Sequence, residues 1–241
     1  MEKNLLKNDA YLLSQTCDDP NQKDSLLIVP SSAGYNSQYK SVVYKDHIDA
    51  FCKRLSAKYG IYYLVLPGQD PKAPLAKYSY EASVSATLDA MKYIVNHGNL
   101  VAVIGMCTGG AIASQAMEDF GKYFPLVLYS SGVWAGWATP SVQKMFEDKY
   151  KNVTLDKEAL LKAPTPGDVI AKHKGKILQI LAGSTIPYPL FGSPDRPGQT
   201  EMKEKNPLIK QILFQTMGEV PFQESPEYES MINEIFSFIE Q

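Results

Sequence analysis

Residues 100–117 limit what this chain can fold into more than any other stretch. Leu100-Val101-Ala102-Val103-Ile104 is a short apolar, β-branched run, Gly105-Met106-Cys107-Thr108-Gly109-Gly110 follows, and Ala111-Ile112-Ala113-Ser114-Gln115-Ala116-Met117 favours helix. A run of that kind passing through G-x-C-x-G-G into a helix predicts strand, sharp turn and helix, the setting of a nucleophile elbow. Such a turn strains the backbone of its central residue, and small neighbours at Gly105 and Gly109 relieve the clash. The elbow lifts the Cys107 thiol clear of the sheet, at a helix N-terminus that favours an anion and lowers a thiol pKa. The backbone N–H of Thr108 opens the same helix toward a developing negative charge. The competing interpretation is a buried cysteine beside a glycine pair that merely lets a helix pack on a strand.

The rest of the composition narrows the class. A chain of 241 residues with 44% hydrophobic and 21% charged residues accommodates one large α/β domain with a full core. A net charge of -2 gives no electrostatic footprint for nucleic acid or an anionic membrane. Cys17, Cys52 and Cys107 make an odd count without metal-ligand spacing, which points to a reducing compartment. The first ten residues carry no apolar core of signal-peptide length, and no stretch is long enough to span a bilayer. The expectation is a soluble cytoplasmic protein that binds neither nucleic acid nor membrane. Neither a metal constellation nor a glycine-rich phosphate cradle is present, so no cofactor is expected. G-x-C-x-G-G lacks the third glycine of a dinucleotide fingerprint.

Strand and helix signals alternate along the chain. Ala10 to Gln15 reads as an early strand, and Ser25-Leu26-Leu27-Ile28-Val29 as a strand covered on both faces. Ile48, Phe51, Cys52 and Leu55 fall at helical spacing, with Gly60 as the expected stop. Ile61 to Leu66 is the next strand, and from about Ser79 a helix carries Val84, Leu88, Met91, Ile94 and Val95 on one face. Beyond the elbow come strands at Pro125–Tyr129, Ile177–Leu181 and Ile212–Phe214. Ser225 and Pro226 then read as N-cap and first residue of a terminal helix burying Ile232, Ile235, Phe236 and Ile239. Residues from about 134 to 174 lack a clean strand and read as a helical lid insertion. The whole predicts a single α/β domain over 1–241, a mostly parallel doubly wound sheet.

With the elbow and the final segment Gly218-Glu219-Val220-Pro221-Phe222-Gln223-Glu224-Ser225-Pro226-Glu227 in view, the chain resembles the α/β-hydrolases, many of which read G-H-x-P-x-x-E-x-P-E before the last helix. Its elbow is similar to that of dienelactone hydrolases and polyhydroxyalkanoate synthases, which use cysteine as nucleophile. The loop Pro30-Ser31-Ser32-Ala33-Gly34-Tyr35, with Tyr39 downstream, resembles the oxyanion loop of thioesterases from polyketide and nonribosomal-peptide pathways. That resemblance implies an oxyanion hole made by the backbone N–H groups of Ser32, or of Ala33, and Thr108.

The departures from the family pattern matter as much. Glu219 stands where the family has its catalytic histidine, Gly183-Ser184-Thr185-Ile186 replaces the usual G-x-x-D, and Ser130 holds the alternative acid position. His97 and His173 precede strands, so they belong at the end of the sheet opposite the elbow, where they read as surface residues. His47 lies on the elbow side, as a candidate base or a solvated first-turn residue, and Asp195 is a candidate acid or a surface turn residue. A carboxylate beside a thiol raises the thiol pKa, so Glu219 is a poor substitute for histidine. In an apolar pocket it would serve instead as general acid or base on a substrate proton.

Three readings follow. In the first, Cys107 attacks an acyl ester, thioester or lactone, Ser32 and Thr108 hold the oxyanion, and Glu219 moves a proton, giving acyl transfer or cyclisation in a biosynthetic pathway rather than simple hydrolysis. In the second, Glu219 drives an isomerase, lyase or cyclase reaction without covalent catalysis. In the third, the chain is a catalytically inactive ligand-binding protein. Tyr35, Trp134, Trp137, Tyr188 and Phe191 fall in loops on the elbow side, where they fit either an apolar or aromatic acyl substrate or the packing of a lid. Arg196 is the one cation expected within reach. The acyl donor arrives free or on a carrier protein, and oligomeric state is open.

Overall fold

The computed structural model describes residues 2–6, 10–19, 21–30, 42–67, 80–130, 166–183, 203–204, 206–218 and 221–241. Its strands are β1 (Glu2–Leu5), β2 (Tyr11–Gln15), β3 (Asp24–Val29), β4 (Gly60–Val65), β5 (Asn99–Met106), β6 (Leu126–Tyr129), β7 (Ile177–Ala182) and β8 (Ile209–Phe214). Its helices are α1 (Val42–Leu55), α2 (Tyr80–His97), α3 (Gly109–Phe120), α4 (Pro166–Lys172) and α5 (Tyr228–Ile239). The strands form one sheet in the order β1-β2-β4-β3-β5-β6-β7-β8. β1 with β2 and β2 with β4 are antiparallel, and every other pairing is parallel.

The run from Leu26 to Val29 has no exposed surface, because helices cover both faces of the central strands. α2, α3 and α4 bury Met91, Ile94, Ile112, Met117 and Ile170 against one face. α1 and α5 bury Ile48, Phe51, Ile232, Ile235 and Phe236 against the other. Each such side chain contributes about 1.5–3 kcal/mol of burial free energy. The parallel strands all present their carboxyl ends along one edge, where open α/β sheets place their sites.

Several expected boundaries move. α1 ends at Leu55 rather than running to Gly60, which instead begins β4. Ser56 is fully buried and its hydroxyl donates to the Lys53 carbonyl at 2.8 Å, so the chain turns before the glycine is reached. α5 begins at Tyr228, because the Ser225 hydroxyl accepts the Glu227 N–H at 3.2 Å in a preceding turn instead of capping the helix. Val95 is 41% exposed and leaves the buried face of α2. Of the segment read as a lid, 166–174 is described: α4 packs on α3, with Val169 and Ile170 buried. Residues 134–165 lie outside the described residues.

Candidate active site

The elbow forms at the carboxyl end of β5, in the middle of the sheet. Met106 closes the strand, Cys107 takes a left-handed φ of 51°, and Thr108 returns to right-handed φ and ψ of -62° and -23° as the N-cap of α3. The turn is held on both sides: the Cys107 N–H donates to the Tyr129 carbonyl at 2.9 Å, and the Cys107 carbonyl accepts the Gly110 N–H at 3.2 Å. A left-handed φ is uncommon for a residue with a side chain, and strain of this kind gathers at functional sites.

The glycines on either side are a steric requirement. A Cβ on Gly105 would lie 2.6 Å from the Gly110 nitrogen and 2.9 Å from the Gly109 carbonyl carbon. A Cβ on Gly109 would strike the Val29 carbonyl and lie 2.5 Å from the Pro30 oxygen. α3 therefore starts in van der Waals contact with the end of β3, which brings the elbow beside Pro30, the last described residue before Ser32. Cys107 is half-buried and Thr108 buried, so the thiol stands at the mouth of the helix rather than within the core.

A second strand end lies beside it. Met106 pairs with Tyr129 as the last rung between β5 and β6, and the Tyr129 hydroxyl donates to the Gly218 carbonyl at 2.8 Å. That hydrogen bond ties the residue immediately before Glu219 to the strand adjoining the elbow. Ser130 follows Tyr129 with its own left-handed φ of 49° and is buried. In the sequence, Ser130 stands out only as a residue at the alternative acid position. Neither its conformation nor the Tyr129–Gly218 tie carries a signal in residue type.

The described residues bring together Cys107, Thr108, Tyr129, Ser130 and Gly218. Ser32, Tyr35, Trp134, Trp137, Tyr188, Phe191, Asp195, Arg196 and Glu219 lie outside the described residues. His47 packs its ring edge on Phe222 at 6.1 Å and sits 3.6 Å from the Glu224 carboxylate, on the segment leading to α5. His97 is exposed at the opposite end of the sheet, as expected, with Nδ1 2.7 Å from the Tyr93 carbonyl oxygen. His173 is at that end too, but it is not a surface residue. It is 3% exposed, with Nδ1 3.0 Å from the Ser114 hydroxyl and its ring edge-on to Tyr123. Burial pulls its pKa down to about 4, so the ring is neutral near pH 7. Among the described residues no cluster of histidine, cysteine and carboxylate has metal-binding geometry, and no helix is long and apolar enough to cross a membrane.

No family model and no curated protein matches this sequence. Solved structures do match. An α/β-hydrolase enzyme from the metagenome of sediments of the Mar Chica lagoon, Morocco, superimposes with a TM-score of 0.64 at 14% identity, covering 100% of both chains. The chain thus has the α/β-hydrolase fold. More particularly, it is similar to a thermophilic esterase from Thermogutta terrifontis, with a TM-score of 0.68 at 12% identity over 99% of this chain and 97% of the esterase. It is also similar to an N-acyl homoserine lactonase crystallised with N-hexanoyl homoserine, with a TM-score of 0.63 at 14% identity over 100% and 98% of the two chains.

Proposed function

We propose that this protein is an acyl-processing enzyme in which Cys107 is the nucleophile, acting on an ester, a thioester or a lactone of a small apolar or aromatic acyl group. The observation that carries this reading is the left-handed Cys107 at the β5–α3 junction, between glycines whose replacement would drive a Cβ into backbone. A cysteine that only filled core volume would not need that conformation. In the proposed reaction the thiolate attacks the acyl carbonyl and forms a C–S bond, and the carbonyl electrons move onto oxygen. The Thr108 N–H meets that oxyanion at the N-terminus of α3, with Ser32 as the second donor suggested by its loop motif. Collapse expels the alkoxide or thiolate, which takes up a proton, and leaves acyl-Cys107.

The second half of the reaction depends on Glu219. Without a histidine at that position water is poorly activated, so the acyl group passes to a better nucleophile, a second molecule or a group tethered to the acyl chain. In this reading the Glu219 carboxylate takes the proton from that group as the new acyl bond forms and the Cys107 thiolate departs. Esterase and lactonase activities on the same fold support an acyl substrate class.

The test is turnover of a panel of acyl thioesters, esters and lactones by the wild type, Cys107→Ala and Glu219→Gln. The expected result is loss of substrate consumption in Cys107→Ala, with Glu219→Gln still acylated but slow to release product. Turnover that survives Cys107→Ala and dies with Glu219→Gln would replace covalent catalysis with proton transfer.

A further inference from the structure

The carboxyl ends of β5 and β6 repeat one another. Cys107, at φ 51°, and Ser130, at φ 49°, are the two non-glycine residues with left-handed φ among the described residues. They are also neighbours: Met106 pairs with Tyr129, so Cys107 and Ser130 occupy the next position on each strand, about 5 Å apart. The parallel ladder continues through both. Cys107 N–H donates to Tyr129 at 2.9 Å, and Ser130 N–H donates to the Ile180 carbonyl at 3.0 Å. Met106 and Tyr129 both point into the core beneath α1 and α5, so alternation turns the next residue of each strand the other way. Both chains then leave the sheet with the same sign of φ, which carries thiol and hydroxyl to the same edge. Ser130 is 3% exposed, and among the described residues no hydrogen bond engages its hydroxyl.

We infer that the Ser130 hydroxyl donates a hydrogen bond to the sulfur of ionised Cys107 and thereby positions and stabilises the attacking thiolate. The inference rests on the reading of Cys107 as nucleophile. A neutral thiol is a weak acceptor and an ionised one a strong one, so the bond tightens when the nucleophile is formed. A hydroxyl also suits the place better than a carboxylate. A carboxylate one strand away would repel the thiolate, while a hydroxyl lends a dipole without charge. The serine keeps its rotor free because the backbone, not the side chain, fixes the strand end. Ser130 acts through Cys107 and makes no bond to the acyl group, so it is a positioning residue.

The experiment is the pH profile of iodoacetamide alkylation, read by peptide mass spectrometry at Cys107 and at half-exposed Cys17 as an internal reference thiol. Wild type is compared with Ser130→Ala, Ser130→Gly and Ser130→Asn. Glycine removes the hydroxyl while relieving the left-handed backbone, so it carries the test if the alanine variant folds poorly. Asparagine tolerates that backbone and keeps an N–H donor. The expected result is a Cys107 profile displaced upward by about one pH unit in the alanine and glycine variants, about tenfold slower alkylation on its rising limb. Asparagine stays at the wild-type profile and Cys17 is unmoved. A fast Cys107 whose profile is the same in all variants overturns the role of Ser130 and leaves the nucleophile reading intact. A wild-type Cys107 no faster than Cys17 overturns both.

Discussion

As pH falls below 6.5, the buried ring of His173 takes stability from this fold. The ring is 3% exposed between α3 and α4, its Nδ1 lies 3.0 Å from the Ser114 hydroxyl, and its Nε2 is buried without a hydrogen-bond partner among the described residues. Protonation would place an N–H on both nitrogens, one of them without an acceptor among the described residues. The flanking Lys172 and Lys174 are exposed and cationic, so they do not offset the charge. Burial lowers the pKa from 6.5 to about 4. Above pH 6.5 neither state is protonated and there is no penalty. As pH falls from 6.5 the unfolded chain takes up a proton that the folded chain refuses, and the penalty grows until about pH 4. With about 1.4 kcal/mol per pKa unit, the displacement amounts to about 3 kcal/mol. Urea unfolding at pH 7.5, 6.5, 5.5 and 4.5 would show it, with His173→Gln as the variant that cannot titrate. The variant loses about 1 kcal/mol at neutral pH with the Ser114 contact, and its stability changes less between pH 6.5 and 4.5. Parallel pH dependences for wild type and variant would refute the assignment.

Other consequences follow from single contacts. Gly109→Ala forces a Cβ onto the Val29 and Pro30 carbonyls and costs about 3 kcal/mol, seen as a lowered Tm together with slower Cys107 alkylation, whereas Gly121→Ala, away from the site, leaves alkylation unchanged. Tyr129→Phe removes the donor to the buried Gly218 carbonyl, lowers stability by about 1–2 kcal/mol in denaturant unfolding, and slows product release if Glu219 acts as proposed. Thr216→Val removes the hydroxyl that donates to the Glu227 carboxylate at 2.6 Å, the main cause of that group's lowered pKa. The carboxyl titration followed by NMR then moves upward. In the wild type the stability held by this contact is present above the ordinary carboxylate range and is lost as pH falls through the lowered pKa.

How much of this was legible in the sequence depends on the kind of force involved. β3, β4, β5, β6 and β7 are strands buried on both faces, so apolar runs announce them within a residue or two. β1 is an edge strand of exposed Glu2, Lys3 and Leu5 and half-buried Asn4, held by backbone pairing to β2, and its residue types give no sign of it. The elbow was legible because steric demand at Gly105 and Gly109 leaves a trace in residue type. The left-handed Ser130 leaves none, since serine is compatible with many backbones. Sheet polarity placed His173 at the correct end but not in the interior. Its burial is made by Ser114 on α3 and by Asn206, whose side chain donates to the His173 carbonyl at 2.9 Å, and neither neighbour is near it in the chain.

Intact-protein mass spectrometry shows whether the elbow presents a working nucleophile. Wild type and Cys107→Ala are incubated with a panel of acyl thioesters and lactones and weighed before release is complete. The expected result is a mass increase equal to one acyl group in the wild type, mapped to Cys107 and absent from the variant, with a lifetime that a tethered or added nucleophile shortens more than water does. No adduct from any donor, together with a Cys107 that alkylates no faster than a free thiol, would contradict it.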